Sequence, residues 1–254
     1  MSTHRGGRHE HGQNFLTDRE VVGTVVDLAR LSTGPIVEIG PGAGALTVPL
    51  AGLGRPLIAV EIDERYAHRV RRTVPPASVV HGDFLHYRLP GQPHAVVGNL
   101  PFHLTTAVLR KLLHAPHWTD AVLIVQWEVA RRRAGVGGTT MMTAQWLPWY
   151  EFRLVRRIPA TAFAPRPSVD AGLLTITRRL APLLVDGRRR EYAAFVHAVF
   201  TGPGHGLPEI LAGVARRHRR AEARRWAAGR GLRGTPLPRD LRGEDWVDAF
   251  ERFA

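Results

Sequence analysis

The feature that most constrains this chain is an alternation of short apolar runs with amphipathic stretches, from residue 18 to about residue 135. The apolar runs have strand length and are apolar on both faces: PIVEIG, PLIAVE, SVVHGD, HAVVGN and AVLIVQW. The stretches between them have helical spacing. The same spacing is present in DREVVGTVVDLARL, which precedes the first apolar run and has Thr17 or Asp18 as its expected N-cap. The alternation predicts an α/β fold with a largely parallel sheet, in which ligands bind at the carboxyl ends of the strands.

The second half of the chain has a different pattern. Residues 142–157 and 169–177 are expected to form two further strands. After about residue 180 the remaining segments have helical spacing: RRREYAAFVHAVF, LPEILAGVARRHRRAEARRWAAG and GEDWVDAFERF. We therefore predict an α/β domain over residues 1–180, which includes a basic flexible arm at 1–13, and a small helical domain over 181–254.

Composition excludes several classes of protein. The chain of 254 residues has no cysteine, which excludes a disulfide framework, an iron–sulfur cluster and a cysteine nucleophile. Its 13 histidines lack the spacing of a metal site, so no metal is expected. No apolar run approaches the roughly 18 residues of a membrane span, and the N-terminus lacks the apolar core of a secretory signal. We expect a cytoplasmic protein without a membrane partner.

The net charge of +13 favours a polyanionic partner. Arginine supplies nearly all of the positive charge, because Lys111 is the only lysine. Runs of arginine at 131–133, 188–190 and 216–220 are by default solvated helix faces. In a chain this basic, some of these side chains are expected to contact phosphate.

Three successive strand ends carry residues that suit a nucleoside ligand. Gly40, Gly42 and Gly44 follow the first strand, where small residues let a ligand approach the backbone. Glu61 ends the next strand and can accept hydrogen bonds from ribose hydroxyls, and Asp83 follows the third and can accept from an adenine amino group. The set favours adenosine, and two acids suit a sulfonium cation better than a pyrophosphate. A tight turn, a solvated acid and a turn cap are the alternatives, and a dinucleotide also fits the glycine pattern.

The fourth strand end, GNLPF at 98–102, has two interpretations. In one it is an ordinary turn, and Phe102 is a core residue. In the other, the Asn99 amide oxygen and the Leu100 carbonyl accept both hydrogens of an exocyclic amine, while Phe102 stacks on the base. Orienting the poorly nucleophilic amine against an electrophilic methyl group would then supply much of the catalysis.

The motifs GQNFL, EIGPGAGALT, VEID, HGDFL, GNLPF and FAPRPSVD occur in the order and spacing of the rRNA adenine N6-methyltransferases. The chain resembles the Erm family, and within it the actinobacterial type, over nearly its whole length. The resemblance implies that residues 1–180 form a catalytic domain with a Rossmann-like class I fold and that the helical domain over 181–254 binds RNA. It also implies that one or two methyl groups are transferred from S-adenosylmethionine to N6 of an adenine in the peptidyl-transferase loop of 23S rRNA. Resistance to macrolides, lincosamides and streptogramin B would follow.

The resemblance also implies roles for individual residues. The S-adenosylmethionine pocket would be lined by Asn14, Leu16, Gly40, Gly42, Glu61, Asp83 and Asn99. Phe163, the first residue of FAPRPSVD, would close the target-base pocket opposite Phe102. Many relatives have tyrosine where this chain has Phe102, so this chain lacks a hydroxyl but keeps the stacking face.

The expected partner is 23S rRNA, as free RNA or as a large-subunit assembly precursor, bound by a monomer. The arginines expected to contact it are Arg131, Arg132, Arg133, Arg166, Arg216 and Arg217. One alternative is the housekeeping 16S rRNA adenine dimethyltransferase, which shares the fold, the cofactor and the Asn-Leu-Pro-aromatic motif that would bind the amine (here Asn99–Phe102, the amine clamp). That family has a PGSKxYGRLS-type segment where this chain has RRRAGVGGTTMMTAQWLPWYEF. Another is a catalytically silent RNA-binding or transcription factor, which the intact Glu61, Asp83 and Asn99 argue against.

Overall fold

The computed structural model of the protein describes residues 14–230 and 234–254. The predicted arm at 1–13 lies outside these ranges. The described strands, in chain order, are β1 (Phe15–Leu16), β2 (Ile36–Ile39), β3 (Leu57–Glu61), β4 (Ala77–His81), β5 (His94–Asn99), β6 (Trp118–Gln126), β7 (Tyr150–Ile158), β8 (Phe163–Ala164) and β9 (Ala171–Arg178). The described α-helices are α1 (Arg19–Arg30), α2 (Thr47–Ala51), α3 (Glu64–Thr73), α4 (Thr105–His114), α5 (Trp127–Arg133), α6 (Met141–Ala144), α7 (Arg189–Thr201), α8 (Leu207–Val214), α9 (Arg220–Ala228) and α10 (Gly243–Phe253).

Seven strands form the main sheet in the order β4-β3-β2-β5-β6-β9-β7. The pairs β2–β3, β3–β4, β2–β5 and β5–β6 are parallel. Because β5 lies beside β2, the strand order reverses there, at the kind of position where α/β sheets bind ligands. The predicted α/β fold with a largely parallel sheet is confirmed.

The chain divides into two compact units. Within the described residues, the first comprises 14–130 and 154–175, and the second comprises 131–153, 176–230 and 234–254. With a single boundary near residue 180, the segment 131–153 would belong to the first domain, whereas the structure groups this segment with the C-terminal residues. The physical reason is aromatic packing inside the second unit, where Trp149 meets Tyr192 edge to face at 5.7 Å and Tyr192 meets Phe250 at 5.2 Å.

The first unit is built around an aliphatic core. Helix α1 is capped by Asp18, whose carboxylate accepts from the backbone N–H groups of Glu20 and Val21. From that start the helix buries Val21, Val25, Val26 and Ala29 against the sheet strands. Of the two expected N-caps, the structure selects Asp18.

The expectation of a strand over residues 142–157 is wrong for its first part. Met141–Ala144 is a short helix, capped by the Thr140 hydroxyl, and the strand begins only at Tyr150. The intervening Trp146 and Trp149 are buried, at a spacing of three residues that places both indoles in one core. Strand β9 agrees with the expected strand at 169–177 within two residues.

Candidate functional site

A cavity of about 300 Å³ opens in the first unit at the carboxyl ends of β2, β3, β4 and β5. This volume is at the lower end of the range for small-molecule sites. The cavity is lined by 26 residues, which include every residue expected in the cofactor pocket and the target-base pocket: Asn14, Leu16, Gly40, Gly42, Glu61, Asp83, Asn99, Leu100, Phe102 and Phe163. The structure therefore brings together side chains that are up to 149 positions apart in the chain (Asn14 to Phe163).

The glycine turn after β2 has a left-handed backbone. Gly40, Gly42 and Gly44 have φ angles of 62°, 53° and 91°. At Gly42 a Cβ atom would also lie 2.9 Å from the Phe15 ring, so a larger residue would have to displace that ring in addition to straining the backbone. The turn thus brings bare backbone to the cavity wall, which suits close approach of a ligand.

The buried carboxylate of Glu61 holds two turns in place. One oxygen accepts from the backbone N–H of Gly42 and the other from the N–H of Asp63, each at 2.9 Å. The side chain is 1% exposed and its residue lines the cavity. Since each carboxylate oxygen has a second lone pair, Glu61 can accept further hydrogen bonds while it keeps these.

Asp83 lies in the turn after β4 and caps it. One carboxylate oxygen accepts from the Leu85 N–H at 2.8 Å, and the other is 3.0 Å from the His86 ring. The turn-cap interpretation of Asp83 is therefore observed in the structure. The same turn also places Asp83, Phe84 and Leu85 on the cavity wall.

Glu38 is a lining residue that the sequence patterns did not identify. It lies in the middle of β2, 1% exposed, and within the described part of the chain its Oε2 has no hydrogen-bond partner. Burial raises the pKa of Glu38 to about 8, with a smaller contribution from the negative charge of Glu61, while Thr47 acts in the opposite direction. A buried acid on a cavity wall suits a cationic ligand. The signal in the sequence was an acid inside the otherwise apolar run PIVEIG.

Asn99 ends β5 and is oriented by the segment before β1. Its amide nitrogen donates to the Asn14 carbonyl at 2.8 Å. The amide oxygen is then the end of the side chain that can accept from a ligand. The backbone of Leu100 is fixed at the same point, because its N–H donates to the Ile124 carbonyl of β6 at 2.9 Å.

Two phenylalanines lie on the same cavity. Phe102 is half-buried in a 3-10 turn (Phe102–Leu104) that leads into α4, and Phe163 is 4% exposed in β8. Strands β1 and β8 pair antiparallel with Leu16 opposite Phe163. This small second sheet joins the chain segment of Asn14 to the segment of Phe163.

The arginines expected to contact RNA are not on the cavity. Arg132 is exposed at the end of α5, Arg166 is exposed after β8, and Arg216 and Arg217 are exposed between α8 and α9. Arg131 and Arg133 are half-buried, and Arg133 donates to the Thr140 hydroxyl at 3.0 Å.

Two kinds of feature are absent from the described part of the chain. Over 14–230 and 234–254, no cluster of three or more His, Asp or Glu side chains is arranged to hold a metal. Nor does any helix in these ranges combine the length and apolarity that a membrane span requires.

Comparison with known proteins places the chain in a family. Residues 5–252 match the family model "Ribosomal RNA adenine dimethylase". An rRNA adenine N-6-methyltransferase of Corynebacterium diphtheriae is 56% identical over 83% of this chain and 84% of its own length. The mycinamicin-resistance protein MyrB of Micromonospora griseorubida is 46% identical over 98% of this chain and 79% of its own.

A solved structure agrees with these relatives. The 23S rRNA methyltransferase ErmE superposes with a TM-score of 0.86 at 33% identity, over 94% of this chain and 99% of that one. The chain therefore belongs to the ribosomal RNA adenine dimethylase family, as an Erm-type, S-adenosylmethionine-dependent adenine N6-methyltransferase.

Proposed function

We propose that this protein methylates N6 of one adenine in the peptidyl-transferase loop of 23S rRNA and thereby blocks the binding of macrolides, lincosamides and streptogramin B. The observation that carries the proposal is the meeting of Glu61, Asp83, Asn99, Phe102 and Phe163 on one cavity. Likeness to the 23S rRNA methyltransferase ErmE and to a mycinamicin-resistance protein supports the choice of RNA.

The donor side of the cavity fits S-adenosylmethionine. Glu61 would accept from the ribose hydroxyls with its remaining lone pairs, and Asp83 would accept from the adenine amino group. Glu38, whose Oε2 has no hydrogen-bond partner among the described residues, would face the positively charged end of the molecule, and a cation there would favour the ionised form of this buried acid. When bound, the molecule supplies a methyl group on a sulfonium, which becomes a neutral thioether after transfer.

The acceptor side of the cavity fits a flipped adenine. The Asn99 amide oxygen and the Leu100 carbonyl would accept the two hydrogens of N6, which aims the nitrogen lone pair at the methyl group. The hydrogen bond from Asn99 to the Asn14 carbonyl supports this role, because it holds the amide with its oxygen as the free acceptor. After attack the nitrogen carries a positive charge and loses its proton readily, so no strong base is required.

The aromatic residues would hold the base. Phe102 would stack on one face of the adenine and Phe163 would close the other side of the pocket. Stacking of a single base is worth roughly 1–3 kcal/mol, which is comparable to the few kcal/mol that extruding a base from its stack costs. That cost is lowest in a loop, where the base is least constrained.

The natural substrate would be protein-free 23S rRNA or a large-subunit precursor, because the loop must be reached before the subunit closes around it. A monomer acting in the cytoplasm, where ribosomes assemble, would be sufficient. The helical residues after 180 would contact the RNA together with the exposed arginines Arg132, Arg166, Arg216 and Arg217.

The proposal is tested by supplying labelled S-adenosylmethionine together with protein-free 23S or 16S rRNA and mapping the modified base. We expect label at one adenine of 23S rRNA and none in 16S rRNA. Expression in a susceptible bacterium should raise tolerance to erythromycin-like drugs, lincosamides and streptogramin B together, with no change for aminoglycosides. Label in 16S rRNA alone, without drug tolerance, would assign the protein to the housekeeping group.

The same assay tests the clamp. Asn99→Ala should abolish transfer while RNA affinity stays nearly constant, since the amide acts at the reacting nitrogen. Phe102→Ala should be severe and Phe102→Tyr mild, because stacking is the proposed role. An active Asn99→Ala protein would refute the clamp.

A further inference from the structure

Lys111 makes an unusual set of contacts. It lies on α4, and its ammonium group donates to three backbone carbonyls, those of Phe84 at 2.6 Å, Leu85 at 3.0 Å and Tyr87. It also lies 5.0 Å from the centre of the Phe84 ring. An ammonium has three donors and no acceptor, so all of its donors are used on one short segment.

In the segment 83–87, several backbone carbonyl oxygens face the ammonium group of Lys111. Asp83 turns the chain tightly, since its carbonyl accepts from the N–H groups of His86 and Tyr87 at 3.0 Å each. The three carbonyls that meet Lys111 therefore converge on one position, where their negative ends repel one another unless a donor lies between them. Burial lowers the pKa of Lys111, and the charge of Asp83 acts in the opposite direction.

The contact joins the two sides of the cavity. The segment 83–87 contributes Asp83, Phe84 and Leu85 to the donor side. Helix α4 starts one residue after the 3-10 turn of Phe102, on the acceptor side, and contributes Val108 to the wall. Lys111 is thus the point at which the helix that follows the amine clamp is tied to the turn that carries Asp83.

We propose that Lys111 is a positioning residue that fixes the Asp83–Leu85 turn against α4 and so sets the affinity for S-adenosylmethionine without touching it. The inference rests on the proposed function of the cavity. It also accounts for a lysine in a chain whose other basic side chains, apart from histidine, are all arginine. A guanidinium presents its donors in a planar fork, which cannot converge on three carbonyls at one point as an ammonium does.

The test compares Lys111→Met and Lys111→Arg in the full-length protein, with Arg110→Met as the matched control. Arg110 is the exposed neighbour on the same helix, so its replacement removes the same charge without the carbonyl contacts. Titration calorimetry would give the affinity for S-adenosylmethionine, and steady-state assays with protein-free 23S rRNA would give separate KM values for donor and RNA.

For both Lys111 variants we expect the dissociation constant and the KM for S-adenosylmethionine to rise about tenfold or more, the effect of removing charge-assisted hydrogen bonds. The KM for RNA, and kcat at saturating donor, should change less than about threefold. Arg110→Met should match the unmodified protein. Full rescue by Lys111→Arg, or unchanged donor affinity in a folded Lys111→Met protein, would overturn the proposal.

A measurement independent of catalysis separates this inference from the proposed function. Amide hydrogen exchange of residues 82–90 should be faster in Lys111→Met than in Arg110→Met, because the converging carbonyls lose their donor. If the unmodified protein fails to bind S-adenosylmethionine, the proposed function is refuted. If the amide hydrogens of residues 82–90 exchange at equal rates in Lys111→Met and Arg110→Met, the positioning role of Lys111 is refuted.

Discussion

Burial changes the chemistry of Glu38, and its raised pKa makes the stability of the fold depend on pH. The unfolded chain releases the proton of this carboxyl near pH 4.5, whereas the folded chain keeps it to about pH 8. Between these values the folded state binds more protons than the unfolded state, so the free energy of unfolding falls as the pH rises. For one proton the slope is at most about 1.4 kcal/mol per pH unit.

Glu38→Gln should therefore flatten the pH dependence of stability between pH 5 and pH 8. The amide keeps the shape of the protonated acid and does not ionise, so the variant should be as stable as the unmodified protein below about pH 4 and more stable at pH 8. Urea unfolding at several pH values measures this difference in the ligand-free protein. Glu64→Gln, at an exposed position, is the control. Parallel curves for Glu38→Gln and the unmodified protein would contradict the raised pKa.

At the scale of single residues, the sequence predicted which side chains reach the cavity but not what they do before a ligand binds. The strand-end positions of Glu61, Asp83 and Asn99 follow from periodicity, because parallel strands end at one edge of the sheet. Their partners do not follow, since the hydrogen bond between Asn99 and Asn14 spans 85 positions and depends on tertiary structure. Their roles toward ligands stay predictions.

At the scale of elements, the packing of two neighbouring strands explains why the first residue of GNLPF is a glycine. Gly98 of β5 lies opposite Ile39 of β2, at the junction where the strand order reverses. A Cβ atom there would lie 3.0 Å from the Ile39 Cβ and 3.2 Å from the Ile39 carbonyl oxygen. The Ile39 carbonyl and Cβ are part of β2 or attached directly to its backbone, so a new Cβ at Gly98 would require the paired strands to shift by a few tenths of an ångström.

Gly98→Ala is expected to lower the free energy of unfolding by about 1–3 kcal/mol, the usual cost of overpacking a core. It should also reduce methyl transfer, because the displaced strand end carries Asn99. Gly23→Ala is the matched control, since Gly23 is exposed in α1 with nothing within 4 Å of a new Cβ. That change should stabilise the helix by about 0.5–1 kcal/mol. Chemical denaturation measures both, and equal stability of Gly98→Ala and the unmodified protein would refute the packing argument.

The elements themselves were predictable to different degrees. Buried parallel strands such as β2 and β5 are apolar on both faces, which makes them recognisable without a structure. The stretch 141–149 was mistaken for strand because its Trp146 and Trp149 indicate burial but not the element that buries them. Likewise the stretch 207–229, expected as one helical segment, is two helices separated by the 3-10 turn Arg217–Arg219.

At the scale of the whole molecule, some arginines that contribute to the positive net charge form ion pairs with acidic side chains and others do not. After residue 180 the chain has 14 arginines against 9 acids. Several of these arginines form ion pairs within the second unit: Arg188–Glu191, Arg189–Asp186, Arg219–Glu222, Arg230–Asp245 and Arg252–Asp248. Arg216 and Arg217 are exposed and form no ion pair with any residue that the structure describes. They are therefore among the exposed arginines of this unit that we expect to be available to phosphate.

RNA binding should weaken steeply with salt, because each phosphate that an arginine neutralises releases a counterion. The double variant Arg216→Gln, Arg217→Gln should bind protein-free 23S rRNA more weakly. Its plot of log affinity against log salt should be flatter by roughly 0.7–0.9 for each phosphate that the variant no longer neutralises. The double variant Arg69→Gln, Arg72→Gln removes the same charge from exposed positions on α3 and is the control. If overall charge alone drives binding, both variants will flatten the slope equally, and local binding of phosphate by Arg216 and Arg217 is refuted. If the second unit meets the RNA there, only the first variant will change the slope.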